Sequence, residues 1–75
     1  MKSKRTLKEE YEVLERIKQY LRDCIDGLLN KISVIDDENE RHLTLSYIIN
    51  YVNQYIEESI RARNIYKEMI KELEK

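Results

Sequence analysis

Few side chains in this sequence are equipped for chemistry. Cys24 and His42 are its only cysteine and only histidine. A thiolate can act as nucleophile or soft metal ligand, and an imidazole as general base or pH sensor. Neither residue has the neighbours such work needs. One of each falls short of a structural zinc set, and a single thiol closes no internal disulfide. No Ser, Cys or Asp stands at a recognised spacing from His42, which is expected at the surface beside Arg41. Cys24 is expected to be a small buried hydrophobe. The pairs Glu9–Glu10, Asp36–Asp37 and Glu57–Glu58 offer acid–base or metal chemistry. Metal sites in helical bundles, however, use Glu-x-x-His on inward faces, and Asn39 stands three residues before His42. These carboxylates read as solvated or helix-capping groups. Glycine-rich phosphate loops and nucleophile elbows do not occur. The chain is expected to be no enzyme and to use no metal or cofactor.

Two other constellations concern binding. Tyr47, Tyr51 and Tyr55 recur at i, i+4 and i+8, and Tyr66 continues the same side. Such a ladder can stack on a nucleobase or anchor a protein contact. It can equally form a packing seam with each hydroxyl reaching water at its edge, the reading preferred here. The basic residues Lys4, Arg5, Lys8, Arg61, Arg63 and Lys67 gather, with others, at the open end of a hairpin. Glutamates interleave with them and leave that end nearly neutral, whereas phosphate binding calls for a basic surplus. They are candidate nucleic-acid contacts only in an alternative reading.

The elements that must carry these residues are helical. Proline is absent and Gly27 is the only glycine, so the 75 residues offer one plausible turn. Charged residues make up 39% and hydrophobic ones 41%, with a net charge of −1. That balance suits amphipathic helices with solvated faces. No apolar run is long enough to span a membrane, and the basic start Met1–Arg5 is not followed by a signal-type segment. A cytoplasmic location is expected.

A capping box, Thr6 with Glu9, opens the first helix, expected over about residues 6–34. Leu7, Leu14, Leu21, Leu28 and Ile35 recur every seventh residue, and Tyr11, Ile17, Cys24, Ile25 and Ile32 widen the stripe to roughly 180°. Gly27 marks either a close helix approach or a helix end; a continuous helix is preferred because the stripe persists beyond it. The turn falls at about 33–37, with Asp36 or Asp37 capping a second helix over about 38–73. That helix carries an apolar arc of roughly 220°, more than one neighbouring helix covers. From His42 to Ile56 it has no Asp, Glu, Lys or Arg, which points to the most buried part of an assembly.

The pattern predicts an all-α, two-helix antiparallel hairpin, assembling as a homodimeric four-helix bundle. Leu14, Leu21 and Leu28 are expected to pack on Ile49, Val52 and Ile56 within the hairpin. The oligomer or partner interface is expected at Tyr47, Ile48, Tyr51, Val52, Tyr55, Ser59, Ala62, Tyr66 and Met69. With a turn near 35–36, Tyr20 would face Tyr51 and Tyr11 would face Ile60. In size and helical pattern the chain resembles the plasmid copy-control RNA-binding hairpins, which dimerise into four-helix bundles. That resemblance implies RNA as an alternative partner. The function expected first is a non-enzymatic interaction or regulatory module whose partner is itself, as a homodimer or higher oligomer, or another protein. A third reading is a phage- or mobile-element-encoded inhibitor docking its tyrosine face on a host enzyme.

Overall fold

A computed structural model describes residues 5–74, which form two helices packed as a hairpin: α1 (Leu7–Ile32) and α2 (Glu38–Leu73). The start of α1 is fixed by Thr6. Its Oγ1 accepts from the Glu9 N–H at 3.1 Å, while Glu9 Oε1 accepts from the Thr6 N–H at 3.1 Å. The Thr6 backbone donor, assisted by its hydroxyl, holds the Glu9 carboxyl below the ordinary glutamate value. The helix runs unbroken through Gly27, where an added Cβ would meet nothing within 4 Å. Gly27 therefore marks neither a helix end nor a close approach.

Ser33 caps α1 and donates from its hydroxyl to the Asn30 carbonyl at 2.7 Å. Asp37 caps α2, its Oδ1 accepting from the N–H groups of Asn39 and Glu40 at 2.8 and 3.2 Å. Between the caps, Ile35 tucks inward to 7% exposure, and Arg41 Nη2 donates to the Ile35 carbonyl at 2.8 Å. The connection is thereby tied to the first turn of α2.

The two helices meet along seams with alternating spacings of four and three, the pattern of coiled-coil packing. On α1 the seam is Leu7, Tyr11, Leu14, Lys18, Leu21, Ile25, Leu28 and Ile32, all buried or half-buried. On α2 it is Thr44, Ile48, Tyr51, Tyr55, Glu58, Ala62, Ile65 and Met69. Leu21 and Ala62 are the best shielded, at 4% exposure each, followed by Thr44 at 6% and Ile48 at 9%. Thr44 tolerates burial because its hydroxyl donates to the Glu40 carbonyl at 2.9 Å.

Two expectations need correcting. Leu14, Leu21 and Leu28 do line the α1 seam, but they do not face Ile49, Val52 and Ile56. Those three are exposed, and α1 covers the other sector of α2, the one expected to face a partner. Both sectors are apolar, so hydrophobicity alone does not choose between them. The sector turned toward α1 is the one that carries the small residues Ala62 and Ser59, which let the helices approach. The register also differs: Tyr11 meets Tyr66, with ring centroids 5.9 Å apart, not Ile60. That pair and Lys18 over Tyr55 place the fold's midpoint between residues 36 and 39, beyond the expected turn centre near 35–36.

The molecule measures 57 × 28 × 14 Å. Its thinnest dimension is little more than one helix with its side chains, about 10–12 Å. No second layer covers either broad face. The hairpin exposes 6431 Å², against about 4,900 Å² expected of a compact monomer of 9.2 kDa.

Candidate functional site

The surface that most needs explaining is on α2. Leu45, Ile49, Val52, Ile56 and Ile60 recur at spacings of four and three, which stacks them along one side of the helix. Their exposures run from 37% at Val52 to 60% at Ile49. At 1.5 Å per residue the stripe is about 22 Å long. Its open apolar area is roughly 400 Å², in the range of the largest patch on a typical monomer. The charge-free segment His42–Ile56 supplies most of it. Only the Thr44–Ile48–Tyr51–Tyr55 edge of that segment turns toward α1; the remainder meets water.

Beside the stripe, a chain of polar and aromatic contacts ties the helices together. Tyr11 packs its ring on Tyr66, and the Glu15 carboxylate, as hydrogen-bond acceptor, raises the Tyr11 phenol. Glu15 pairs with Lys18 at 3.4 Å, and the Lys18 ammonium lies 5.4 Å from the centre of the Tyr55 ring. Lys18 thus keeps its charge hydrated at the edge of the seam while its stem packs within. Tyr11, Glu15, Lys18 and Tyr66, with Ser59, Ala62 and Arg63, line a shallow open cleft of about 290 Å³. They fix the α1–α2 register and stiffen the α2 face on that flank.

On the opposite flank the Tyr20 phenol lies beside Cys24 and Tyr51. The Cys24 thiol, as hydrogen-bond partner, raises the Tyr20 phenol, and Tyr51 adds to the effect. Cys24 is half-buried, less enclosed than expected, because Gly27 one turn on leaves open space beside it.

The expected interface residues separate into distinct environments. Ile48 and Ala62 are buried against α1, and Tyr51, Tyr55, Ser59 and Met69 are half-buried. Tyr47 and Tyr66 remain 51% exposed, on different sides of the seam, and Val52 belongs to the open stripe. Among the basic candidates, Lys4 lies outside the described residues. Arg5 and Arg61 share a depression with Glu10, Arg63 lies on the other flank, and Lys8 sits with Met69 and Glu72 at the helix ends. Arg61 is paired with Glu58 at 3.0 Å. The basic groups therefore form no single face. Among the described residues no His, Cys, Asp and Glu cluster is arranged to hold a metal, and no helix is long and apolar enough to cross a membrane.

Sequence reasoning passed over Lys18 and took Glu58 for a solvated or capping carboxylate, whereas these are the two charged residues on the seams. Continuing the four–three spacing strictly along each helix would have found them. Glu58 is 14% exposed at its side chain, and one carboxylate oxygen, Oε2, is buried with no hydrogen-bond partner.

Comparison with protein-family models, with curated proteins and with solved structures gave no match.

Proposed function

We propose that this protein is a non-enzymatic interaction module that associates with itself, two hairpins packing face to face as a four-helix bundle. The observation that carries this reading is the open stripe Leu45–Ile60 on a hairpin one layer thick. Side chains of this kind gain about 25 cal/mol per Å² when removed from water, and among the described residues nothing is left to cover them. Small domains without disulfides or metals draw their remaining stability from oligomerisation. Of the residues expected to face a partner, Val52 stays on the assembly face, joined in this reading by Leu45, Ile49, Ile56 and Ile60, while Ile48, Tyr51, Tyr55 and Ala62 line the hairpin's own seam.

The test is sedimentation of the wild-type protein and of Ile56→Glu across a concentration series. The wild type is expected to sediment as a dimer or larger species at micromolar concentration. Ile56→Glu places a charge at the centre of the stripe, on an exposed site, and is expected to yield a helical monomer. A wild-type monomer throughout the series would overturn the reading.

A further inference from the structure

The open stripe is symmetric about its own centre, and we infer that a second copy of this chain docks on it antiparallel, α2 on α2, with the twofold axis passing between Val52 and Asn53. This rests on the self-association proposed above and specifies its geometry. In an antiparallel pair of identical helices, positions equally far from the axis face each other. Ile49 and Ile56 are equidistant from that point, as are Leu45 and Ile60. Leu45, Ile49, Ile56 and Ile60 thus each meet an apolar residue of the second copy, and Val52 sits beside the axis, level with Asn53 of that copy.

Charge gives the pairing its direction. Glu38 and Lys67 lie on the line of the stripe beyond its two ends, both exposed and also equidistant from the axis. Antiparallel docking sets Glu38 of each copy against Lys67 of the other. Parallel docking would set Glu38 against Glu38 and Lys67 against Lys67. Arg63 behaves similarly: it faces His42 in the antiparallel arrangement and Arg63 in the parallel one. Asn53, exposed beside the axis, lies within one residue's rise, about 1.5 Å, of its own copy there, close enough for the side-chain amides to hydrogen-bond and resist slippage. The stripe alone supplies about half of the roughly 800 Å² per partner found in standard interfaces, so the flanking polar residues must contribute to the contact.

Cysteine cross-linking in a Cys24→Ser background reads this geometry directly. Val52→Cys is expected to form a disulfide-linked dimer on mild oxidation. Leu45→Cys and Ile60→Cys are each expected to link poorly alone and to link to one another when the two variants are mixed. As a second measurement that leaves the stripe intact, Glu38→Lys and Lys67→Glu should each weaken dimerisation several-fold, and the double variant should restore it. If Leu45→Cys and Ile60→Cys each link to themselves and not to one another, docking is parallel and the inference is overturned. A wild-type dimer whose stripe cysteines fail to link in any combination overturns this geometry but leaves self-association standing. A wild-type monomer at every concentration overturns both.

Discussion

Glu58 occupies a seam position between Tyr55 and Ala62, where its neighbours gain stability by being enclosed. One of its oxygens is paired with Arg61 and the other is buried without a partner. A buried acceptor left unpaired costs about 1–3 kcal/mol relative to its hydrated state. Glu58→Leu removes that cost and adds apolar burial, so it is expected to raise the urea midpoint by an amount equivalent to about 1 kcal/mol or more; a lowered midpoint would show that the carboxylate is stabilising. At the start of α1, the depressed Glu9 carboxyl gives a pH dependence of defined sign. A lowered folded-state pKa contributes stability that is present above the ordinary glutamate value and is lost as pH falls through the folded one. Thermal melts are thus expected to weaken as pH falls below the ordinary glutamate value of 4.5. Thr6→Ala, costing about 1 kcal/mol as a lost cap at neutral pH, should shrink that pH response.

Each helix carries information the other lacks. For α1, Gly27 stands mid-helix, exposed, with open space where a side chain would go. Gly27→Ala is expected to stabilise by about 1 kcal/mol through helix propensity alone, read as an upward shift in the melting midpoint. For α2, two substitutions to the same residue separate its two apolar sectors. Tyr51 is half-buried against α1, so Tyr51→Glu is expected to unfold the hairpin and abolish most helical circular dichroism. Ile56 is half exposed, so Ile56→Glu is expected to keep the helical signal while removing self-association. Equal loss of helicity in both variants would mean that the hairpin does not exist apart from its assembly.

At the scale of the molecule, surface is in excess. The exposed area of 6431 Å² exceeds the compact-monomer expectation of about 4,900 Å², and the 14 Å thickness gives the reason. An assembly that covers this surface couples folding to association. Its melting midpoint must then fall on dilution. Helical circular dichroism melts from high to low micromolar concentration should show that fall, and a concentration-independent midpoint would mark a self-sufficient monomer.

Composition and periodicity alone made the helices legible. The Thr6–Glu9 box, the Asp37 cap, the seven-residue recurrence of leucines and the excess apolar arc of α2 are local properties, written within a few residues of where they act. The arc's two sectors were visible too. Which sector meets α1 was not, because leucine, isoleucine and tyrosine are all apolar enough for either side, and no local signal ranks them. The choice shows in contacts between the helices and at the connection: Tyr11 meets Tyr66 and not Ile60, Lys18 lies over Tyr55, and Ile35 tucks inward with Arg41 on its carbonyl. Sequence determined that α2 has more apolar surface than one helix can cover. Only the tertiary structure decided which part is left over, because helix rotation and register are set by groups far apart along the chain.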